Sequence, residues 1–382
     1  MDVIALLLIL LAVLWLQAYI LGNYVFSRLD YSCRFSAPEA HEGDTIYLVE
    51  TVYNGKLLPV PWLKVDIHTS RWLDFAGTCS VIAQDDRRVT SSFVLRSYQK
   101  TTRKWKLNCV KRGIFHTENV TLVGGDLLNL CNVSEALPVN ITLVVYPEIV
   151  DLDELFMPVN LLQSDNTVNR WIIDDPFMFS GIREHTPTDP MNRIHWPATA
   201  KSGKLMVRKN EYTSEQNLTV ILNMQTKSYE YTNVIDRRSA ELGIKVAATL
   251  FDRALKEGTP VVFATNGCTC ADDKQPIITK GAADKDHIKG LFNILAGLLM
   301  KSVRSFHGLL EDISPDLENS ETVIVTAYLD KEICAQADRI ADEGNRVCII
   351  LVDTEYESGA LPESAELYIL SDRSWLQSEE WV

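Results

Sequence analysis

Val3 to Leu21 reads VIALLLILLAVLWLQAYIL, nineteen residues without a charge and with Gln17 as the only clearly polar side chain. As an α-helix rising 1.5 Å per residue, the run is about 28 Å long, close to the roughly 30 Å hydrocarbon core of a bilayer. The expectation is a single transmembrane anchor within residues 1–27. A cleaved secretory signal is the rival, but it needs positive residues ahead of a shorter apolar stretch and a small-x-small cleavage site. Here only Met1 and Asp2 precede the run. Arg28 and Arg34 follow it and no Lys or Arg comes before it, so the positive-inside rule places the soluble bulk in the cytoplasm.

The 382 residues are too many for one ordinary domain and enough for two, each with its own core. With 46% hydrophobic and 23% charged residues, the chain has the composition of folded domains rather than of a disordered linker. A formal net charge of −14 opposes attraction to phosphate backbones, which depends on Lys and Arg, so nucleic acid is not an expected partner. Cysteines stand at 33, 79, 109, 131, 268, 270, 334 and 348, with neither paired CxxC spacing nor a Cys/His set suited to zinc. Cys268 and Cys270, one residue apart, offer a weak metal signal and a strained bridge. Free thiols in a reducing compartment are expected, in keeping with a cytoplasmic bulk. Asn-x-Ser/Thr triplets begin at Asn119, Asn132, Asn140 and Asn217. Asn140 and Asn217 open apolar runs of strand character, and the triplet alone does not establish glycosylation.

Residues 31–147 carry short alternating segments separated by turn residues, the pattern of half-buried antiparallel strands. Thr45 to Tyr53, ending at Asn54-Gly55, is the clearest; Val60 to His68, Arg88 to Leu95, Lys104 to Cys109 and Ile141 to Val145 continue it. This predicts an immunoglobulin-like β-sandwich. Trp62, Trp72 and Trp105 could stack a ligand, but aromatics in such strands ordinarily fill the core.

From Asn217 the rhythm changes, and residues 217–382 form a separate α/β region. Leu218 to Leu222 is continuously apolar, the mark of a strand covered on both faces. A helix bearing Ile244, Ala247, Phe251 and Leu255 on one face follows, stopped by Gly258 and Pro260 before a strand from Val261 to Thr265. Then come a helix from about His287 to Arg304, a strand Thr322 to Thr326, a helix Lys331 to Glu343, a strand Arg346 to Val352 and a short strand Glu366 to Leu370. This alternation predicts a doubly wound, mostly parallel sheet. In such sheets ligands bind beyond the carboxyl ends of the strands, yet no dinucleotide, phosphate-loop or nucleophile-elbow motif follows any of them. No cofactor and no catalytic residue are expected.

The junction, residues 148–216, contains FSGIREHTPTDPMNRIHWPATAKSGKLMVRKNE at 179 to 211. His185, Asp189 and His195 could ligate a metal or serve as acid and base in a cell-envelope hydrolase. A surface of opposite charges more commonly forms a salt-bridged brace or docking surface.

Gly181-x-Arg183-Glu184, Asp189, Arg193-Ile194-x-Trp196 and Leu205-x-Val207 together resemble the signature of the bacterial domain of unknown function 58 family. Lys111-Arg112-Gly113-Ile114-Phe115 with Asp126-Leu127, and Tyr146-Pro147, are similar to further features of that family. The resemblance spans essentially the whole chain after the anchor. It implies a membrane protein with a von Willebrand factor A-like C-terminal region and a MoxR-type AAA+ ATPase as partner, with Gly181, Arg183, Glu184, Asp189, Arg193 and Trp196 as signature or partner-binding positions. Domains of that kind can carry a metal-dependent adhesion site, D-x-S-x-S, whose oxygens hold a divalent ion. The matching positions here are Asn223, Gln225 and Lys227 in LNMQTK. An amide is a weaker ligand than a carboxylate and an ammonium repels a cation, while the stretch expected as a loop after Thr326 reads Ala327-Tyr328. No Mg²⁺ is expected there, and the segment reads as a core strand and its loop. The expectation is a non-enzymatic, membrane-anchored scaffold. The hydrolase and an extracellular binding module of opposite topology are the alternatives.

Overall fold

The computed structural model describes residues 2–75, 80–83, 86–126, 128, 131–152, 156–158, 182–184, 199, 201, 203–208, 217–317, 320–356 and 361–370. The chain divides into two compact units, Met1–Glu148 with Phe292–Gly297, and Ile149–Leu291 with Leu298–Val382.

The first unit begins with α1 (Asp2–Tyr24), rich in Leu and Ala and free of Pro, as helix propensity requires. It is long and apolar enough to cross a membrane, and its outward side chains stay exposed, Ile4 at 69% and Trp15 at 69%. Ten strands follow: β1 (Leu29–Phe35), β2 (Glu39–His41), β3 (Thr45–Asn54), β4 (Val60–Ser70), β5 (Leu73–Phe75), β6 (Ser80–Ala83), β7 (Asp86–Leu95), β8 (Lys100–Cys109), β9 (Gly113–Gly125) and β10 (Asn132–Tyr146). They form a four-stranded sheet in the order β1-β3-β8-β5 and a six-stranded sheet in the order β2-β10-β9-β4-β7-β6. Inward residues of both sheets, among them Leu48, Val52, Val65, Leu107, Leu122 and Leu143, share one core. Two sheets enclosing a common core make a β-sandwich.

The tryptophans serve this core. Trp72 and Trp105 pack against it, and Trp62 donates through Nε1 to the carbonyl of Asp126 at 2.8 Å. On β3 the inward positions are Ile46, Leu48, Glu50, Val52 and Asn54, so the pleat buries a carboxylate. Glu50 is fully buried and accepts from the Tyr31 hydroxyl at 3.1 Å, the Ser91 hydroxyl at 3.0 Å and Trp105 Nε1. Burial raises its pKa above the usual carboxylate value despite those donors. Within the same unit, Arg112 donates to the carbonyls of Leu295 and Ala296 at 2.6 and 3.3 Å. The Tyr146 hydroxyl donates to Asn293 Oδ1 at 3.1 Å.

In the second unit, β11 (Phe156–Pro158), β12 (Ile182–Glu184), β13 (Met206–Arg208) and β14 (Leu218–Leu222) precede α2 (Arg237–Glu257). Next come β15 (Val261–Thr265), β16 (Gly267–Thr269), β17 (Ile277–Ile278), α3 (Lys285–Gly297), whose end from Phe292 belongs to the first unit, β18 (Leu298–Ser302) and α4 (Phe306–Ile313). β19 (Glu321–Leu329), α5 (Lys331–Asp342), β20 (Arg346–Tyr356) and β21 (Glu366–Leu370) complete the described elements. The main sheet has the order β11-β21-β20-β19-β14-β15-β17. Its central pairs β15·β14, β14·β19, β19·β20 and β20·β21 are parallel. Both faces are covered. Phe251 of α2 meets Phe263 edge to face at 5.3 Å. On the opposite face Ile221, Ile324 and Ile349 pack with Leu309 and Leu310 of α4 and Ile333, Ala337 and Ile340 of α5. α2 is capped by Asp236, whose carboxylate accepts from Arg238 N and Ser239 N, and it ends on Gly258 at φ 74°, a left-handed conformation that suits glycine.

Two expectations require correction. The helix expected from His287 to Arg304 stops at Gly297, and Leu298–Ser302 pairs antiparallel with β16. Ser302 adds bonds to the carbonyls of Thr232 and Tyr231, so tertiary partners override an apolar run that periodicity alone reads as helix. Ala327-Tyr328 is not a loop: β19 continues to Leu329 through a bulge, and both residues are buried.

The pH dependence of the first unit follows from Glu50. Its folded pKa lies above the unfolded value, so between the two the folded state holds the extra proton and stability falls as pH rises. In the Glu50→Gln variant this slope should disappear. Urea unfolding of both proteins from about pH 4.5 to pH 8, a window that starts at the ordinary carboxylate pKa, should show the difference moving in the variant's favour; a constant difference contradicts the assignment.

Candidate functional site

Helices α2 and α5 lie on opposite faces of the sheet, and they follow the neighbouring strands β14 and β19. Their chains therefore diverge at the carboxyl ends of those strands, where a doubly wound sheet opens its ligand crevice. Asn223 directly follows β14, Asn266 directly follows β15, and Thr326 lies in β19. Asn223, Gln225, Thr226, Asn266 and Thr326 are each at most 4% exposed.

These side chains satisfy one another. Asn223 Nδ2 donates to Thr326 Oγ1 at 3.0 Å, while its Oδ1 accepts from Gln225 N at 2.9 Å and from Asn266 Nδ2 at 3.1 Å. Asn266 Oδ1 accepts from Met224 N at 2.7 Å. Gln225 Oε1 accepts from Phe306 N at 2.8 Å and from Asn266 Nδ2 at 3.3 Å, and Gln225 Nε2 donates to the carbonyl of Glu230. In each of the three amides a backbone N–H faces the oxygen, which fixes which end is oxygen and which is nitrogen.

The rim of the loop is held by a carboxylate. Glu230, 5% exposed, accepts from Thr226 N at 2.6 Å, Thr226 Oγ1 at 2.5 Å and Ile235 N at 2.7 Å. Thr226 Oγ1 in turn accepts from Asp236 N at 3.1 Å, which ties the loop to the cap of α2. Lys227 points away from this core, its Nζ 3.8 Å from Asp353 Oδ2 on β20. Burial, with Asp330 nearby, pushes the Tyr328 hydroxyl up to about 12, and a hydrogen bond with Asn223 opposes the shift. His307 Nε2 stands 3.2 Å from Asp330 Oδ2, but Asp330 Oδ1 already accepts from Glu332 N and Ile333 N as the cap of α5.

The structure thus brings Asn223 and Gln225 into one network and leaves Lys227 at its edge. The plain core strand and loop expected here is a cross-linked amide cluster, because a buried strand end must pair every polar atom it carries. Asn266, Thr226 and Glu230 are the members that sequence reading missed. Asn266 had a signal: it follows VVFAT as Asn223 follows LTVIL. Of the junction residues, Gly181, His185, Asp189, Arg193, His195 and Trp196 lie outside the described residues. Arg183 and Glu184 lie in β12, opposite Val207 and Met206 of β13, so two parts of the signature pair as one ribbon.

No family model matches the chain. The uncharacterized protein YeaD of Bacillus subtilis (strain 168) is 21% identical over 344 residues, which cover 88% of this chain and 79% of that protein. Among solved structures, the CARDB domain of the PF1109 protein from Pyrococcus furiosus is similar over 32% of this chain and 98% of its own, at 11% identity and a TM-score of 0.21. A non-cellulosomal cohesin from Archaeoglobus fulgidus is similar over 30% of this chain and 91% of its own, at 11% identity and a TM-score of 0.22. With likeness this slight, the sandwich rests on its own strand pairing.

If the amide cluster holds the crevice shut, its most connected member is the costliest to lose. Asn266→Ala orphans Met224 N and removes a donor from both Asn223 and Gln225, at a cost of about 2–4 kcal/mol. Chemical unfolding of the variant should show that loss; a change near zero contradicts the network.

Proposed function

We propose that this chain is a non-enzymatic, membrane-anchored adaptor whose second unit is von Willebrand factor A-like and binds a protein partner, a MoxR-type AAA+ ATPase. One observation carries the reading: the crevice where a doubly wound sheet would bind a small ligand is filled by direct hydrogen bonds among Asn223, Gln225, Asn266 and Thr326. What is left to offer is the rim, with Lys227, Tyr229 and Tyr231 around it, the tyrosines 65% and 89% exposed. Exposed tyrosines beside charged groups suit a protein surface better than a small-molecule pocket. The order of the parallel strands, with β14, the first of them in the chain, inside the sheet between β19 and β15, is consistent with an A-like domain, as the family resemblance implies.

The location belongs to the same proposal. An exposed apolar helix of spanning length at the N-terminus, followed by Arg28 and Arg34, suits a single-pass anchor with the bulk in the cytoplasm. The free cysteines among the described residues suit a reducing compartment.

Two measurements test the function. Full-length chain in detergent, used as bait, should retain a purified MoxR-type ATPase in the presence of ATP or ADP, and Tyr231→Ala should weaken that retention; no retention with either nucleotide overturns the assignment. Mg²⁺ titration should give no saturable signal with the native chain, whereas Asn223→Asp combined with Gln225→Ser and Lys227→Ser should gain one, since it restores hard oxygen ligands. Saturable binding by the native chain overturns the non-metal reading.

A further inference from the structure

α1 is not a free tether. Its last turns are built into the sandwich: Leu21 is 7% and Val25 1% exposed. A Cβ at Gly22 would stand 2.7 Å from Cys131 Sγ, closer than packing allows. Lys56 Nζ donates to the carbonyls of Val25 and Ser27, closing the carboxyl end where orphan acceptors collect. Higher up, Gln17 Nε2 donates to Asp126 Oδ2 at 3.3 Å.

Asp126 is fully buried and organises a turn. Its Oδ2 accepts from Leu128 N at 3.2 Å and its Oδ1 from Cys131 N at 2.8 Å, while its carbonyl takes the Trp62 indole. The turn presents Leu128, 53% exposed.

The bond to Gln17 fixes the height of that turn along the helix. Gln17 lies seven residues before Tyr24, the end of the apolar span Leu6–Tyr24, which is about 10 Å along the axis. Holding the turn in bulk water would bring Gln17 to the bilayer surface and leave only residues 3–16 in the hydrocarbon, about 21 Å against a core of roughly 30 Å. Helix and turn therefore enter together. Irregular backbone at such a depth needs its polar groups satisfied internally, and Asp126 supplies this for Leu128 N and Cys131 N.

We infer that the turn at Leu128, held by Asp126, is a second bilayer-contacting element, which inserts Leu128 among the lipids beside α1 and seats the sandwich on the membrane surface. This rests on the reading of α1 as a membrane span. The test places p-benzoylphenylalanine at one position per protein in the full-length chain, at Leu128, at Leu8 on the helix, or at Val94, an exposed sandwich residue. Each protein is reconstituted in phosphatidylethanolamine–phosphatidylglycerol vesicles and irradiated, and adducts are read by mass spectrometry. Lipid adducts at Leu8 and Leu128, several-fold above Val94, are expected. Adducts at Leu8 with Leu128 no higher than Val94 overturn the insertion while leaving the span intact. No adduct at Leu8 overturns the span and the inference together. Crosslinking of Leu128 to protein instead of lipid also overturns the insertion.

Discussion

Buried polar groups must find partners inside the chain, and that constraint shapes both units of this protein. Unpaired, such a group costs about 1–3 kcal/mol, a large part of the stability of a domain. At three places among the described residues a local structure is built around inward polar side chains. Glu50 gathers Tyr31, Ser91 and Trp105 in the sandwich. Asp126 gathers Gln17, Leu128 N and Cys131 N at the helix. Asn223 and Asn266 gather the strand ends of the second unit. The three clusters use different chemistry to meet one requirement.

The elements of the fold were legible where one signal dominated. Thr45 to Tyr53 is rich in β-branched and aromatic residues and becomes β3; Glu366 to Leu370 becomes β21 with the same bounds. Where two signals competed, the sequence misled. Leu298 to Ser302 carries the apolar residues of a helix extension, and only pairing with Gly267–Thr269 makes it a strand. Of β9, Gly113–Gly125, only the start was legible, through the resemblance at Lys111 to Phe115, because its apolar residues are then spaced by His116, Thr117 and Glu118, although the neighbouring β4 and β10 fix it on both sides.

The candidate site was half legible. Asn223, Gln225 and Lys227 could be marked because the family resemblance places an adhesion-site motif there, at a strand end where ligands gather in a parallel sheet. Their partners could not, since Asn266 and Thr326 come from strands 43 and 103 residues away in sequence. The resemblance treats the three marked positions alike, whereas the fold separates them: Asn223 and Gln225 turn inward, and Lys227 turns to Asp353. The amide N–H groups of the cluster are spent on oxygens within the protein.

A helix fused rigidly to a domain has different consequences from one joined by a linker. A flexible connection lets the domain sample a volume set by linker length, whereas Lys56 on the helix end and Asp126 beside Gln17 hold α1 at two heights. Two points on a rod fix its direction, so the sandwich inherits the orientation of the helix. Burial pushes the Lys56 ammonium down to about 8, which marks how far from water this clasp is placed. Weakening either point would free the rod to pivot about the other, and it is the pair, rather than either bond by itself, that turns an apolar segment into a defined mount for the domain.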